Sequence, residues 1–216
     1  MSLLHRKFLR LAPAYIAYMA AVLWMTGQSA RVRLDGLFLT QAFADKTYCY
    51  LLAPPFLLGI FFLDESMEKP MVIRIGSRRL ALLRLLVRQY LFAAVYLAAW
   101  FALAALFAGG EDVFRFPGRY AHDLMGLILL ANCCELFQRW GKMTASAFPF
   151  GAAYLWLLLD VLMIPSLTNR FPFGPTVYLG FAWVFSEKGY SYAILAGWIV
   201  LTFVLLLGRN ERYDMF

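Results

Sequence analysis

The stretch of sequence that decides the fold is Asp64-Glu65-Ser66-Met67-Glu68-Lys69-Pro70-Met71-Val72-Ile73-Arg74-Ile75-Gly76-Ser77-Arg78-Arg79, which continues through Arg84 to Arg88. It is short and charged, and it separates two hydrophobic runs of membrane length. A bilayer core disfavours this density of charge, so we expect the stretch to lie in water. An integral membrane protein with such a segment between two spans is expected to use it to dock another molecule.

The composition of the 216 residues excludes an ordinary soluble domain. Hydrophobic residues make up 62% of the chain and charged residues only 15%, and the mean hydropathy is +0.66. A soluble domain carries about 25% charged residues. The net charge of +7 comes from basic residues that flank hydrophobic runs. Membrane topology therefore explains this charge better than nucleic-acid binding does.

Six hydrophobic runs come close to the length of about 20 residues that a membrane-spanning helix needs. They are Leu11–Gly27, Tyr48–Leu63, Leu85–Phe107, Asp123–Phe137, Ala145–Leu167 and Tyr192–Gly208. The sequence therefore predicts an all-α integral membrane protein, a single transmembrane domain over residues 1–216. The fourth run is the shortest and carries Asp123, Asn132 and Glu135, so we expect it to pack inside the bundle.

The basic residues predict the orientation of the six spans. With both termini in the cytoplasm, thirteen of the twenty lysines and arginines fall on the inner side and seven on the outer side. Cytoplasmic segments of membrane proteins carry this excess of positive charge. The segment between spans two and three is then cytoplasmic, and residues 166–191 are on the outer side.

The outer segment between spans five and six is rich in aromatic residues, glycine and proline, especially over Phe171–Phe185. It is too apolar for a solvated loop and too interrupted for a full span. Irregular backbone at membrane depth is tolerated only where protein or water covers it. We therefore expect a re-entrant or interfacial hairpin here.

The charged segment has internal order. Its acidic residues come first. Gly76-Ser77 then indicates a break or a helix N-cap. A basic amphipathic helix is predicted to follow and to continue into the third span. The apolar positions of that helix, at spacings of three to four residues, are Leu80, Leu83, Val87 and Tyr90. A simpler explanation of the basic residues is anchoring at the cytoplasmic surface and attraction to anionic lipid.

Three acids lie within the hydrophobic runs. Asp160 is predicted to face the bundle interior, a water-filled cavity or a partner subunit, because a central carboxylate is costly in lipid. Pairing with a tyrosine or arginine of a neighbouring helix is favoured over a proton or substrate role. Asp123 and Glu135 lie nearer the span ends, where they can reach water, and Glu135 can pair with Arg139 at i, i+4.

Patterns for catalysis, metal binding and nucleotide binding are absent from the sequence. The chain has two histidines and three cysteines, and Cys49, Cys133 and Cys134 are predicted to be buried small hydrophobes. Gly141-Lys142 is followed by Met143, and Leu136 occupies the upstream glycine position, so no phosphate-binding loop is formed. We expect no catalytic residue, metal or cofactor in this chain. If ATP drives its function, another polypeptide binds and hydrolyses it.

Taken together, the six spans and the acidic then basic segment resemble the permease subunit of type-2 ABC exporters. The resemblance is strongest over Asp64–Arg88, where an acid is followed by Arg-x-Gly-Ser-Arg, as in small permeases of peptide and bacteriocin exporters. The residues that carry it are Glu65 or Glu68, Arg74, Gly76, Ser77 and Arg78. The hairpin over Phe171–Phe185 is similar to the outer re-entrant element of these permeases.

The resemblance implies a mechanism and a set of partners. The segment between spans two and three would be a coupling helix, and the residues in contact with the ATPase would be Glu65, Glu68, Arg74, Arg78 and Arg79. Two ATPase subunits would bind ATP and Mg²⁺, and a second permease copy or a homologue would complete the pathway. The chain would lie in a bacterial inner membrane and export a peptide, drug or lipid-like cargo.

Other functional classes remain open from the sequence. One is a six-span substrate-binding subunit of the kind found in vitamin importers, which would need a polar outward pocket and no basic coupling segment. Another is a membrane assembly factor without a transport cycle, and a third is a membrane-embedded enzyme. A co-purifying ATPase separates the exporter from all three.

Overall fold

The computed structural model describes residues 3–33, 38–64, 78–108, 117–140, 147–163, 180–185 and 189–212. Every regular element in these ranges is helical, and no strand occurs in them. The α-helices are α1 (Leu3–Arg33), α2 (Phe38–Ala42), α3 (Asp45–Thr47), α4 (Ala53–Asp64), α5 (Arg78–Phe107), α6 (Pro117–Trp140), α7 (Phe148–Leu158) and α8 (Ser191–Arg212). The prediction of an all-α fold is confirmed.

Three shorter helical segments complete the described chain. A π-helical turn, Tyr48–Leu52, joins α3 to α4 without a break, and a second one, Leu159–Met163, continues α7. A 3₁₀ turn, Phe181–Phe185, lies before α8. Single π turns inserted in α-helices are frequently found at functional sites.

A helix covers most or all of each of the six predicted runs, but the runs differ in how well they fit a membrane span. Within the described ranges, two helices are long and apolar enough to cross a bilayer, Arg79–Phe107 and Ser191–Arg209. Phe148–Val161 is apolar but shorter. The number of six transmembrane helices therefore stays a prediction.

Helix α6 lies at the centre of the bundle. It contacts α4, α5, α7, α8 and the 3₁₀ turn. Leu127, Leu130 and Ala131 are completely buried, as is Cys133. The prediction that the fourth run packs inside the bundle is confirmed, since α6 has protein on nearly all sides.

The direction of the helices follows from their contacts. The Tyr120 hydroxyl donates to the Ala94 carbonyl oxygen, and Leu86 clusters with Leu136, so α5 and α6 are antiparallel. Leu206 joins the same cluster. These three helices therefore have two ends. We call one the Arg78 end; it holds Arg78, Trp140 and the C-terminal turns of α8. We call the other the Pro117 end; it holds Pro117 and Ser191.

Apolar side chains cover much of the outside of the described structure, and several polar side chains are buried within its largely apolar core. The exposed large apolar residues on α1, α4, α5, α7 and α8 include Ile16, Trp24, Leu58, Val95, Leu155 and Val204. The buried polar or charged residues are Gln89, His122, Asp123, Asn132, Glu135, Asp160, Ser191 and Thr202. Water would penalise this distribution, whereas a hydrocarbon solvent would favour it.

The first turns of α5 use a different face from the one the sequence indicated. Ala81, Leu82, Leu85 and Leu86 are buried against the protein, while the predicted apolar stripe of Leu80, Leu83 and Val87 is exposed. Both faces of this segment are apolar, so periodicity alone did not distinguish them. The predicted stripe is therefore an outer face of the bundle.

Several predicted residues lie outside the described ranges. They are Glu65, Glu68, Arg74, Gly76 and Ser77 of the coupling segment, together with residues 164–179 of the outer hairpin. Arg78 is the first residue of α5, and Arg79 follows it with an exposed side chain. Of the hairpin, Gly180 and the 3₁₀ turn are described, and Phe181 and Val184 are buried.

Candidate functional site: the polar contacts of helix α6

Near the Arg78 end, α6 is joined to α5 by the carboxylate of Glu135. The Gln89 side-chain amide donates to Glu135 Oε1 at 2.6 Å. Glu135 Oε2 accepts from Arg139 one turn further along α6, which confirms the predicted i, i+4 pair. The Glu135 side chain is 1% exposed. The expectation that Glu135 reaches water is wrong, because its face of α6 is covered by α5.

One turn toward the bundle centre, Asn132 connects three helices. The Tyr90 hydroxyl of α5 donates to Asn132 Oδ1 at 2.6 Å. The Asn132 amide nitrogen donates to Thr202 Oγ1 of α8 at 3.1 Å. The Thr202 hydroxyl lies 2.9 Å from the Trp198 carbonyl oxygen of its own helix. Both ends of the buried amide are therefore satisfied by neighbouring helices.

At the Pro117 end, a histidine and a serine join α6 to the start of α8. His122 Nε2 lies 2.6 Å from Ser191 Oγ, and His122 Nδ1 lies 3.1 Å from the Gly118 carbonyl oxygen. That carbonyl can only accept, so Nδ1 carries the proton and Nε2 accepts from the serine hydroxyl. The Tyr192 ring stacks on the imidazole with centroids 3.8 Å apart.

Burial lowers the pKa of His122, which precedes the predicted fourth span, so the imidazole is neutral at neutral pH. A serine hydroxyl hydrogen-bonded to a neutral histidine is the geometry of an activated nucleophile. Ser191 is completely buried, however, so no substrate reaches it in this conformation. The arrangement described here fixes α8 to α6.

An ion pair lies one residue away, on the side of α6 that meets the 3₁₀ turn. Arg119 Nε is 3.1 Å from Asp123 Oδ1. The same guanidinium lies 4.4 Å from the centroid of the Phe185 ring and donates to the Val184 carbonyl oxygen at 3.3 Å. Asp123 is buried, so the expectation that it reaches water is wrong, because the 3₁₀ turn and its neighbours cover it.

The hydroxyl of Tyr48, in the first π turn, is buried against the same part of α6. It has no hydrogen-bond partner among the described residues. Gly126 makes the approach possible, because a Cβ there would lie 2.6 Å from Tyr48 Oη and 2.8 Å from a Val184 methyl group. The Pro117 end of α6 is thus tightly enclosed.

Asp160, in the second π turn, lies in the interior as predicted, and it is completely buried. Its Oδ2 accepts from the backbone N–H of Phe181 at 2.6 Å. The preceding Gly180 has a φ of 122°, a backbone conformation that favours glycine. The carboxylate therefore fastens the 3₁₀ turn to α7.

The polar side chains of α6 lie on two opposite faces. At 100° per residue, Arg119 and Asp123 lie about 180° around the helix from Asn132, Glu135 and Arg139. The contacts at the Arg78 end reach α5 and α8, and those at the Pro117 end reach the 3₁₀ turn and α8. Together they join the helix that begins at Arg78 to the outer 3₁₀ turn.

The sequence indicated the acids of this site but missed most of their partners. Gln89, Tyr90, Thr202 and Ser191 are dispersed among apolar residues of other helices, and no local spacing relates them to α6. A usable signal was the polarity of Gln89 and Thr202 within otherwise apolar runs. No cluster of three or more potential metal ligands occurs in the described ranges.

No protein-family model matches the chain, and no curated protein or solved structure is significantly similar to it.

Proposed function

We propose that the chain is the membrane-spanning permease subunit of a type-2 ABC exporter. The cargo would be a peptide, a drug or a lipid-like molecule. Separate ATPase subunits would dock on the segment 64–88 through its residues Glu65, Glu68, Arg74, Arg78 and Arg79. Two observations support the membrane location: the apolar exterior of the described helices and the polar groups held between them. The sequence has no phosphate-binding loop, which fits an ATPase on another chain.

The observation that carries the coupling role is the path from the charged segment to α6. Helix α5 begins at Arg78, within that segment, and continues unbroken to Phe107. Its Gln89, about 16 Å along the axis from Arg78, hydrogen-bonds α6, and so does the next residue, Tyr90. A displacement of residues 64–77 would therefore move α5 and α6 together.

In this mechanism, nucleotide binding changes the contacts that the ATPase makes with Glu65, Glu68, Arg74, Arg78 and Arg79. A ligand shifts a conformational equilibrium only through such differences in contact between states. The hydrogen bonds of Glu135 and Asn132 would pass the movement to α8. A second permease copy would supply the other wall of the cargo pathway.

The proposal is tested by purifying the tagged chain from its native membrane in mild detergent. We expect an ABC ATPase to co-purify in stoichiometric amount with vanadate-sensitive activity. Purification of the chain without any ATPase would overturn the proposal and favour a substrate-binding subunit or an assembly factor.

A charge-reversal variant tests the coupling residues themselves. Arg74→Glu with Arg78→Glu should abolish ATPase co-purification while membrane insertion stays normal, because the basic contacts to the ATPase are inverted. Arg31→Glu with Arg33→Glu, the same change on the predicted outer side, is the matched control and should retain the ATPase. Normal co-purification of the Arg74 and Arg78 variant would contradict the coupling assignment.

A further inference from the structure

Three arginines, Arg84 and Arg88 of α5 and Arg209 of α8, lie at a similar level of the bundle near the Arg78 end. Leu82 and Leu86 of α5 pack with Leu206 of α8, which holds the two helices side by side at this level. Arg84 lies between the two α5 leucines in sequence, and Arg209 is three residues beyond Leu206. At 1.5 Å per residue, each arginine is within about 5 Å of this leucine cluster along its helix axis.

The positive charge at this level is not neutralised by the described residues. Neither Arg84 nor Arg88 nor Arg209 forms an ion pair within the described part of the chain. The Glu135 carboxylate is already engaged by Gln89 and Arg139. Arg84 is exposed and Arg88 is half-buried. Basic side chains near a membrane surface attract anionic lipid, so this end of α5 favours an anion.

The same face of α5 continues as an apolar stripe. Leu80, Val87, Leu91 and Val95 are exposed, and Val95 is 62% exposed. At 100° per residue, the four fall within about 80° of one another, and Arg84 lies in the middle of that sector. The stripe from Leu80 to Val95 is about 22 Å long. This face of α5 therefore carries a cationic side chain next to an apolar surface about as long as a lipid acyl chain.

We propose that this face of α5 binds an anionic phospholipid of the inner leaflet. Its phosphodiester would lie against Arg84 and Arg88, and its acyl chains would follow the stripe to Val95. A free anion would satisfy the arginines and leave the stripe uncovered. An acidic soluble protein would satisfy the arginines without reaching the membrane-embedded part of the stripe.

The site is tested with the full chain reconstituted in phosphatidylcholine vesicles that contain a trace of spin-labelled phosphatidylglycerol or spin-labelled phosphatidylcholine. Electron paramagnetic resonance measures the motionally restricted fraction of each lipid at the protein surface. We expect phosphatidylglycerol to be preferred, and Arg84→Gln with Arg88→Gln to lower that preference by about fivefold for each arginine. Arg84→Lys keeps the charge at an exposed position and should retain the preference.

The controls separate a site from diffuse attraction. Lys46→Gln removes an exposed positive charge on α3, away from α5, and should leave the preference unchanged. An equal loss in Lys46→Gln and in the double arginine variant would overturn the proposal, as would an unchanged preference in the double variant. Displacement of the restricted phosphatidylglycerol by inorganic phosphate would also overturn it, because the site would then recognise the free anion. The assay contains no ATPase, so its outcome is independent of the transport proposal.

Discussion

The amide of Asn132 illustrates how single polar residues hold this structure together. Its oxygen accepts from Tyr90 and its nitrogen donates to Thr202, so one side chain contacts both α5 and α8. In a bundle whose exterior is apolar, such hydrogen bonds supply orientation that lipid cannot supply. Removing the amide leaves the partly buried Tyr90 hydroxyl without its acceptor, whereas Thr202 still reaches backbone carbonyls of α8.

We expect Asn132→Ala to destabilise the protein by about 1 kcal/mol, because the partly buried Tyr90 hydroxyl loses its acceptor. The measurement is the thermal unfolding midpoint of the purified chain in detergent. Thr202→Val is the matched comparison at the other end of the same contact. It should lower the midpoint less, since Tyr90 keeps its partner. Equal midpoints for Asn132→Ala and the unmodified chain would show that the amide does not stabilise the bundle.

Asp160→Asn should leave membrane insertion and assembly intact. The asparagine oxygen can still accept from the Phe181 N–H, so the 3₁₀ turn stays fastened to α7. Asp160→Leu removes the acceptor and should reduce the amount of folded protein. Both are checked by fluorescence-detected size-exclusion chromatography of solubilised membranes. Loss of the asparagine variant from the membrane would mean that the negative charge itself is required for the fold.

The residue contacts differ in how far the sequence could predict them. Glu135 and Arg139 are four residues apart on one helix, so their pairing follows from helix geometry alone. Asn132 and Thr202 are separated by seventy residues, and their meeting depends on how α6 and α8 pack. The interior location of Asp160 followed from the cost of a charge in lipid, but its backbone partner lies in another segment that no periodicity connects to it.

At the scale of elements, α1, α4 and α5 approach one another around Gly59 of α4. A Cβ at this position would overlap the Phe92 ring of α5 and lie 3.0 Å from the Tyr15 hydroxyl of α1. Phe92 is stacked on Phe56 with centroids 5.5 Å apart, so it has little room to move. The Tyr15 hydroxyl also donates to the Pro55 carbonyl oxygen at 2.8 Å. The glycine therefore sets the spacing of three helices.

Gly59→Ala should destabilise the bundle by about 1–3 kcal/mol through overpacking. Gly151→Ala in α7 is the matched control, because a Cβ there meets nothing within 4 Å. The control should be neutral or slightly stabilising, since alanine favours a helix over glycine. Thermal unfolding of both variants in the same detergent makes the comparison. A midpoint for Gly59→Ala equal to that of Gly151→Ala would contradict the close packing of α4 and α5.

The sequence predicted where the helices lie along the chain, but not which side of each helix packs against protein. Apolar runs located every long helix, and α5 was expected from Ser77 onward, which agrees with its first residue Arg78. The apolar positions Leu80, Leu83 and Val87 did not identify the buried side of α5, because leucines occupy both sides of its first turns. Where hydrophobicity is uniform around a helix, only the rare polar residues, such as Gln89, indicate the side that meets protein.

At the scale of the whole molecule, large apolar side chains cover much of the described exterior, and a few charged and polar side chains are buried within an apolar core. Buried glutamate, aspartate and asparagine lie at the centre, and valine, leucine and tryptophan cover the exterior. The antiparallel order of α5, α6 and α8 places the Arg78 end and the Pro117 end on opposite sides of these helices. If the bundle spans a bilayer, the two ends face different compartments.

Thiol labelling tests this arrangement. Cys49, Cys133 and Cys134 are buried, so the unmodified chain should not react with a membrane-impermeant maleimide. Lys46→Cys and Trp140→Cys each place a thiol at an exposed position, before α4 and at the Arg78 end. We expect Lys46→Cys to label in right-side-out vesicles and Trp140→Cys only in inverted vesicles. Labelling of both from the same side would contradict the six-span topology.

This distribution of polarity also determines how the sequence can change over evolutionary time. If the bundle lies in a bilayer, leucine, valine and phenylalanine on its exterior meet acyl chains, so exchanges among them should have little effect. The interior offers no such freedom, because Glu135, Asn132 and Asp160 each have a partner on another segment. Relatives of this chain should therefore share a sparse set of polar positions and little else. Overall sequence identity is then a poor indicator of homology, and the spacing of the buried polar residues is a better indicator.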